Sequence, residues 1–413
     1  MINDKIATIN LGILAIPPIY LFDEIKQLGT QYETEHPKSR QIIDAGIGNT
    51  KLPLVPEVVD AGVKAMNMMG IQQHYRGYGP EIGYDDLRET ISLVDFHSRG
   101  ITKINEDNIF VSTGTKEDSA TFPDIFNRDV PVLVVNPAYP VYVNAALIAG
   151  RKIVYITAND ANEWCPEPPR DEYPGAIIWL CYPNNPTGQT ANREYLARWV
   201  AYAKKCQATI LYDNAYVEFI SSPNVVRSIF EIEDAWDVAI EFRSFSKPFG
   251  FTNVRCAYAI IGNATLYGNS GDAHLVRDLW ARYKGYKTNG VFWVIQQMAM
   301  TAMTTGREAC MTQVRYYLRN AKVIGKELDY LGLEYVGGID SPYLWVKTPK
   351  GMYSKSFCEL LIEKAQIVAT PGEGFVSGGT DNNNDAKKRI RISSFMFKEN
   401  ADEMSHRLRR LNI

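Results

Sequence analysis

A chain of 413 residues, 46% hydrophobic and 22% charged, has material for a large core, in two domains or one large domain with a lobe. Its net charge of −3 excludes a dedicated nucleic-acid binder, which carries a basic surplus, and no apolar run reaches the ~20 residues of a membrane span. Six scattered cysteines (Cys165, Cys181, Cys206, Cys256, Cys310, Cys358) show no CxxC or other metal-ligand spacing, so no metal site is expected and the thiols read as free, in a reducing compartment.

From the start of the chain, the apolar stretch 9–22 is interrupted by Pro17-Pro18 and preceded by Asp4 and Lys5, unlike a signal peptide, so a cytoplasmic enzyme is the expectation. Leu21, Ile25 and Leu28 have helical spacing. Residues 41–48 read as a short strand entering a glycine loop, in which Gly46-x-Gly48 lacks the third glycine of a dinucleotide fingerprint. A helix is expected from Pro56, a turn-rich loop over 75–80, and helical periodicity again over 84–97.

From Ile109 short apolar runs alternate with longer stretches: 109–112, 130–135, 152–156, 176–181, 208–212, 238–242 and 256–261. That alternation predicts a mostly parallel sheet covered on both faces, an α/β fold with active residues at the carboxyl ends of strands. Beyond about Gly285, helices over 291–303, 315–331 and 354–364 and strands over 343–346 and 389–393 predict a smaller α+β lobe, with a polar loop over 380–385.

Polar clusters follow three of the strand runs: Asn184-Asn185-Pro186-Thr187-Gly188, Asp213-Asn214-Ala215-Tyr216, and Ser244-Phe245-Ser246-Lys247 with Arg255 eight residues on. A lone lysine is most simply a solvated strand-edge charge. Between two buried strands, desolvation and nearby cations make it an amine nucleophile. Ser244, Ser246 and Arg255 suit a phosphate, so a Schiff-base cofactor that carries one, pyridoxal 5′-phosphate, is expected. Its ring nitrogen needs a carboxylate partner, for which Asp213 is placed. Asn185 and Tyr216 supply donors for its phenolic oxygen, Tyr139 after the 130–135 strand supplies a stacking ring, and Gly114-Thr115-Lys116 at a helix start supplies phosphate donors.

The order of these motifs resembles that of the fold type I aminotransferases of class I/II. The resemblance runs from Tyr20-Leu-Phe-x-Glu-Ile through Gly46-Ile-Gly-x-Thr50, Gly77-Tyr-Gly-Pro-Glu81, Val111-Ser-x-Gly-x-Lys116, Pro137-x-Tyr-Pro-x-Tyr142, the three clusters above and Pro342-Tyr-x-Trp to Arg391-x-Ser393. Within that family it is most similar to the LL-diaminopimelate aminotransferases. The resemblance implies a seven-stranded, three-layer large domain over 46–290 and a small domain over 291–413, joined by an N-terminal arm and part of the small domain over 1–45. It also implies a homodimer with shared active sites, without nucleic-acid or membrane partners, acting on an amino acid and a 2-oxo acid. Lys247 would hold the cofactor and shuttle the Cα proton, with Asp213 and Tyr216 assisting. Tyr78 would reach the phosphate from the partner subunit. Arg391, with Asn185, would take the substrate α-carboxylate, and Tyr20, Gly48, Glu81, Lys116 and Asn289 would meet the substrate's distal end or the cofactor.

The chain departs from the LL-diaminopimelate pattern at Asn49-Thr50-Lys51-Leu52, Thr115, Arg255-Cys256-Ala257-Tyr258 and Ser393-Ser394-Phe395-Met396, so the cofactor residues are kept while the substrate wall differs. A pyridoxal enzyme that eliminates, replaces or cyclises rather than transaminates is the alternative. A serine–lysine hydrolase through Ser244-x-x-Lys247 is weaker, because its partner motifs are missing. A binding protein has no use for the lysine, aspartate and tyrosine together.

Overall fold

The computed structural model describes residues 9–268, 270–378 and 385–411. Most of the 380–385 loop expected from the sequence therefore lies outside the described residues, as do Asp4 and Lys5. The chain builds a seven-stranded sheet from β1 (Ile109–Ser112), β2 (Val132–Asn136), β3 (Ile153–Thr157), β4 (Ile177–Cys181), β5 (Thr209–Asp213), β6 (Ala239–Ser244) and β7 (Ala257–Ile261). Their order is β1-β7-β6-β5-β4-β2-β3. Only β7 runs antiparallel to its neighbours β1 and β6. All but β3 are buried along their length, which is why they read as continuous apolar runs rather than alternating ones. The edge strand β3 is half-buried throughout.

Strand ends differ from the sequence reading by a residue or two for local reasons. Pro131 has no N–H to give a ladder, so β2 begins at Val132 and runs on to Asn136. One apolar cluster fills one side of the sheet around Trp199, Tyr212 and Phe245, and a second fills the other around Phe122, Trp179 and Trp280. Helices Pro140–Ile148, Arg193–Lys205 and Val276–Lys287, which the sequence reading passed over, cover these faces. The Arg193–Lys205 helix has a clear start signal: the Asn192 side chain accepts from the Tyr195 N–H.

The C-terminal part forms a four-stranded antiparallel sheet from β8 (Tyr335–Gly337), β9 (Tyr343–Lys347), β10 (Thr370–Pro371) and β11 (Arg389–Ser393), in the order β8-β9-β11-β10. Its own core includes Ile324, Leu344, Leu361 and Ile392. The helix expected over 315–331 begins earlier and spans Arg307–Tyr330, with Cys310, Val314 and Tyr317 at helical spacing on its buried face. Ile43–Asp44 pairs in parallel with Ile367–Val368, which ties the start of the chain to this C-terminal part. All six cysteines are free; five are buried and Cys165 is half-buried. Among the described residues no helix is long and apolar enough to cross a membrane, and no group of side chains is arranged to hold a metal ion.

Candidate active site

Parallel registry brings the three motif-bearing strand ends level. Cys181 pairs with Asp213 and Asp213 with Phe242, so β4, β5 and β6 deliver Asn185, Asp213 and Lys247 to one place. The cavity above them is about 430 Å³, within the range of small-molecule sites. Tyr20, Gly48, Thr115, Lys116, Tyr139, Asn185, Asp213, Tyr216, Ser244, Ser246, Lys247, Arg255 and Arg391 line it, which gathers thirteen of the residues expected from sequence. Gly114 stands directly behind, where a Cβ would fall 1.9 Å from Arg255 Nη2. In the single chain Tyr78, Glu81 and Asn289 do not reach the cavity. Tyr78 projects into solvent with 91% of its surface exposed.

Lys247 donates from Nζ to the Gly48 carbonyl. Burial, reinforced by the positive charges of Arg391 and Arg255, lowers its pKa from 10.5 to about 7. Asp213 is buried; its Oδ2 accepts from the Tyr142 hydroxyl at 2.5 Å and its Oδ1 from the Ala215 N–H at 3.3 Å. Burial raises its pKa to about 6, and those hydrogen bonds hold it from rising further. Arg255 adopts a left-handed conformation, φ 70°, rarely used by a side chain of this kind. That turn aims its guanidinium at Ser246 Oγ and the Thr252 carbonyl, both 3.1 Å away.

Arg391, on β11, is fully buried. It donates to Asn185 Oδ1 at 2.7 Å and to the Gly46 carbonyl at 2.5 Å. Its guanidinium lies 4.5–4.9 Å from the ring centres of Phe22, Tyr343 and Phe375. Among the described residues it pairs with no carboxylate, and its Nε has no partner. Burial lowers its pKa, although neighbouring hydroxyls and Asp44 work the other way. A buried guanidinium without a counter-ion is costly, and a ligand anion offsets that cost. Lys116 sits at the rim with its Nζ 4.2 Å from the centre of the Tyr20 ring, and Tyr20 in turn donates to the Tyr139 hydroxyl at 3.3 Å.

Six lining residues had no assigned role from sequence: Phe22, Ile47, Asn49, Ala215, Thr252 and Tyr343. Phe22, Ile47, Ala215 and Tyr343 lay inside recognised motifs, Thr252 between Lys247 and Arg255, and Asn49 in the stretch that departs from the family pattern. Signals for them existed without a geometry to interpret them.

The arrangement fits pyridoxal 5′-phosphate. An amine of lowered pKa and a buried carboxylate line one cavity, and beside them hydroxyls converge with the Arg255 guanidinium, for which the bare Cα of Gly114 leaves room. Fold and site together define a pyridoxal-phosphate enzyme of fold type I. The chain belongs to the aminotransferase class I and II family, whose model matches residues 40–408. It is a pyridoxal-phosphate-dependent aminotransferase. It is 39% identical over 407 residues to an LL-diaminopimelate aminotransferase of Methanosphaera stadtmanae, covering 95% of this chain and 96% of that protein. Among solved structures, L,L-diaminopimelate aminotransferase from Chlamydomonas reinhardtii superposes with a TM-score of 0.87 at 31% identity, covering 98% of both chains. Substrate-bound BacF from Bacillus subtilis superposes with a TM-score of 0.81 at 26% identity, again over 98% of both.

Proposed function

We propose that the enzyme transfers the amino group between an L-amino acid of the LL-diaminopimelate type and a 2-oxo acid such as 2-oxoglutarate. The carrying observation is Arg391, a buried cation that among the described residues has no carboxylate partner, beside Lys247. It suits the α-carboxylate that both substrates share. At the rim, the Lys116 ammonium has no ion pair among the described residues and suits a second, distal carboxylate. The relatives named above for LL-diaminopimelate support that substrate class.

Pyridoxal phosphate, when bound, supplies an electron sink for the charge that develops at the substrate Cα. Asp213, ionised above about pH 6, holds a proton on the ring nitrogen. Tyr139 would lie against its ring, and Tyr216 and the Asn185 amide would donate to its phenolic oxygen. The Asn185 carbonyl oxygen is already taken by Arg391, which leaves its N–H₂ free to do so. Ser244, Ser246, Arg255 and Thr115 bind the phosphate. Lys247 is the covalent anchor, and its amine accepts the Cα proton and returns it, a role matched to a pKa near working pH.

The enzyme acts as a homodimer in the cytoplasm, and Tyr78, Glu81 and Asn289 of one subunit complete the cavity of the other. Exposed apolar side chains such as Leu11, Leu14, Val63, Met66 and Tyr286, 52–86% open, are surface that a partner subunit would cover. The test is glutamate formation from 2-oxoglutarate with LL-diaminopimelate, lysine, ornithine or other donors. LL-diaminopimelate gives the highest kcat/KM; a preference for lysine, which lacks the distal carboxylate, overturns the substrate assignment. A visible absorption band that borohydride abolishes, missing in Lys247→Ala, tests the anchor.

A further inference from the structure

Tyr343 joins two halves of the site. It stands on β9, where Trp345 pairs with Arg391 and Tyr343 with Ser393, so Tyr343 and Arg391 are diagonal neighbours on one face of the β9–β11 pair. Its ring centre is 4.5 Å from the Arg391 guanidinium. Its hydroxyl is 2.9 Å from the Tyr216 hydroxyl, and among the described residues it makes no other hydrogen bond. The Cβ of any residue larger than glycine at position 48 would fall 2.1 Å from this same oxygen, so Gly48 is bare where Tyr343 enters the cavity.

Each tyrosine hydroxyl has a single proton to donate. Arg391 can only donate, and among the described residues the Tyr343 hydroxyl has one hydrogen-bond partner, the Tyr216 hydroxyl, so the Tyr216 oxygen is the acceptor left for the Tyr343 proton. With that lone pair occupied, the Tyr216 proton is left to point into the cavity. The adjacent cation strengthens this polarity. Burial raises the pKa of both hydroxyls and Arg391 pulls both back, but for Tyr343 it stands next after burial, whereas for Tyr216 it is the smallest influence and the hydroxyl stays well above its ordinary value. The better acid of the pair is the donor.

We propose that Tyr343 is a positioning residue: its hydroxyl fixes Tyr216 as a donor toward the cofactor's phenolic oxygen, and its ring seats Arg391 for the substrate carboxylate. This rests on the roles given above to Tyr216 and Arg391. A donor at the phenolic oxygen would withdraw negative charge from the cofactor and make the Lys247 Nζ joined to it easier to deprotonate. Losing that donor raises the pH midpoint of the visible absorption band.

The experiment titrates that band in the cofactor-loaded wild type, Tyr216→Phe, Tyr343→Phe and the double variant. Tyr216→Phe raises the midpoint by about 1–2 pH units, the worth of a hydrogen bond to a charged group. Tyr343→Phe, which removes a single atom and so keeps the fold, raises it in the same direction by about half as much. The double variant matches Tyr216→Phe, because the Tyr343 hydroxyl acts only through Tyr216. An unmoved midpoint in Tyr343→Phe, or additive shifts in the double variant, overturns the proposal while leaving the Tyr216 assignment intact. An unmoved midpoint in Tyr216→Phe overturns that assignment and this proposal with it. A second arm measures succinate, a non-reacting dicarboxylate, by its effect on the same band. Tyr343→Phe keeps the ring and binds it within about threefold of wild type, whereas Tyr343→Leu binds it about tenfold more weakly. Equal affinities in all three overturn the seating role.

Discussion

Arg391→Gln removes a charge while keeping much of the local hydrogen bonding. Glutamine can still donate toward the Asn185 oxygen and the Gly46 carbonyl, now met at 2.7 and 2.5 Å, so the fold loses little. The substrate loses a desolvated partner for its α-carboxylate. Truncating one member of such a pair costs about 2–5 kcal/mol, a factor of roughly 30 to 4,000 in kcat/KM. Full burial and the aromatic walls of Phe22, Tyr343 and Phe375 place the expected loss in the upper half of that range. A second effect comes with it. Arg391 stands next after burial among the influences that lower the Lys247 pKa, so its removal moves that midpoint upward from about 7. The assay compares an amino acid with the matching amine that lacks the α-carboxylate, following glutamate formation across pH. The amino acid loses most of its advantage over the amine. A kcat/KM within about threefold of wild type, or the same loss for the amine, would refute an ion pair at this arginine.

Three further outcomes follow from the same geometry. Because the Lys247 pKa lies below its ordinary 10.5, the neutral amine predominates above about pH 7. The rate at which cofactor-free protein captures pyridoxal phosphate therefore climbs through pH 7 and levels off, and a midpoint near pH 10 would contradict this. Gly114→Ala drives a methyl group into Arg255 Nη2 and disturbs the guanidinium that bonds Ser246. Equilibrium dialysis then shows cofactor Kd raised by about tenfold or more, and a change under about twofold speaks against a phosphate role. Arg243→Met leaves Glu241 and Asp95 buried without the cation that lies 2.6 and 3.1 Å from them. Urea unfolding followed by circular dichroism reports a loss of about 3–5 kcal/mol, and a loss below about 1 kcal/mol refutes the pairing as a structural requirement.

The strands, the turn-bearing loops after them and the placement of Asp213 and Lys247 at or just past strand ends were legible in the sequence because each is a local signal. An apolar run seven times repeated says sheet, and a polar cluster just past a run says strand end. Resemblance to a family added Arg391, which no local pattern distinguishes from an edge-strand charge. What surrounds these residues was decided by folding alone. Tyr142 reaches Asp213 across 71 positions, Tyr343 reaches Tyr216 across 127, and Arg391 reaches Gly46 across 345. The buried charges of β6 are likewise unreadable from the chain, since Glu241 and Arg243 look like breaks in an apolar strand until Asp95, 148 residues before Arg243, arrives beside them. Composition and spacing determine which side chains can do chemistry. Only registry between strands and the packing of the C-terminal sheet over them sets the charges, burial and hydrogen-bond directions that bring an ordinary lysine to about pH 7 and leave an arginine waiting for an anion.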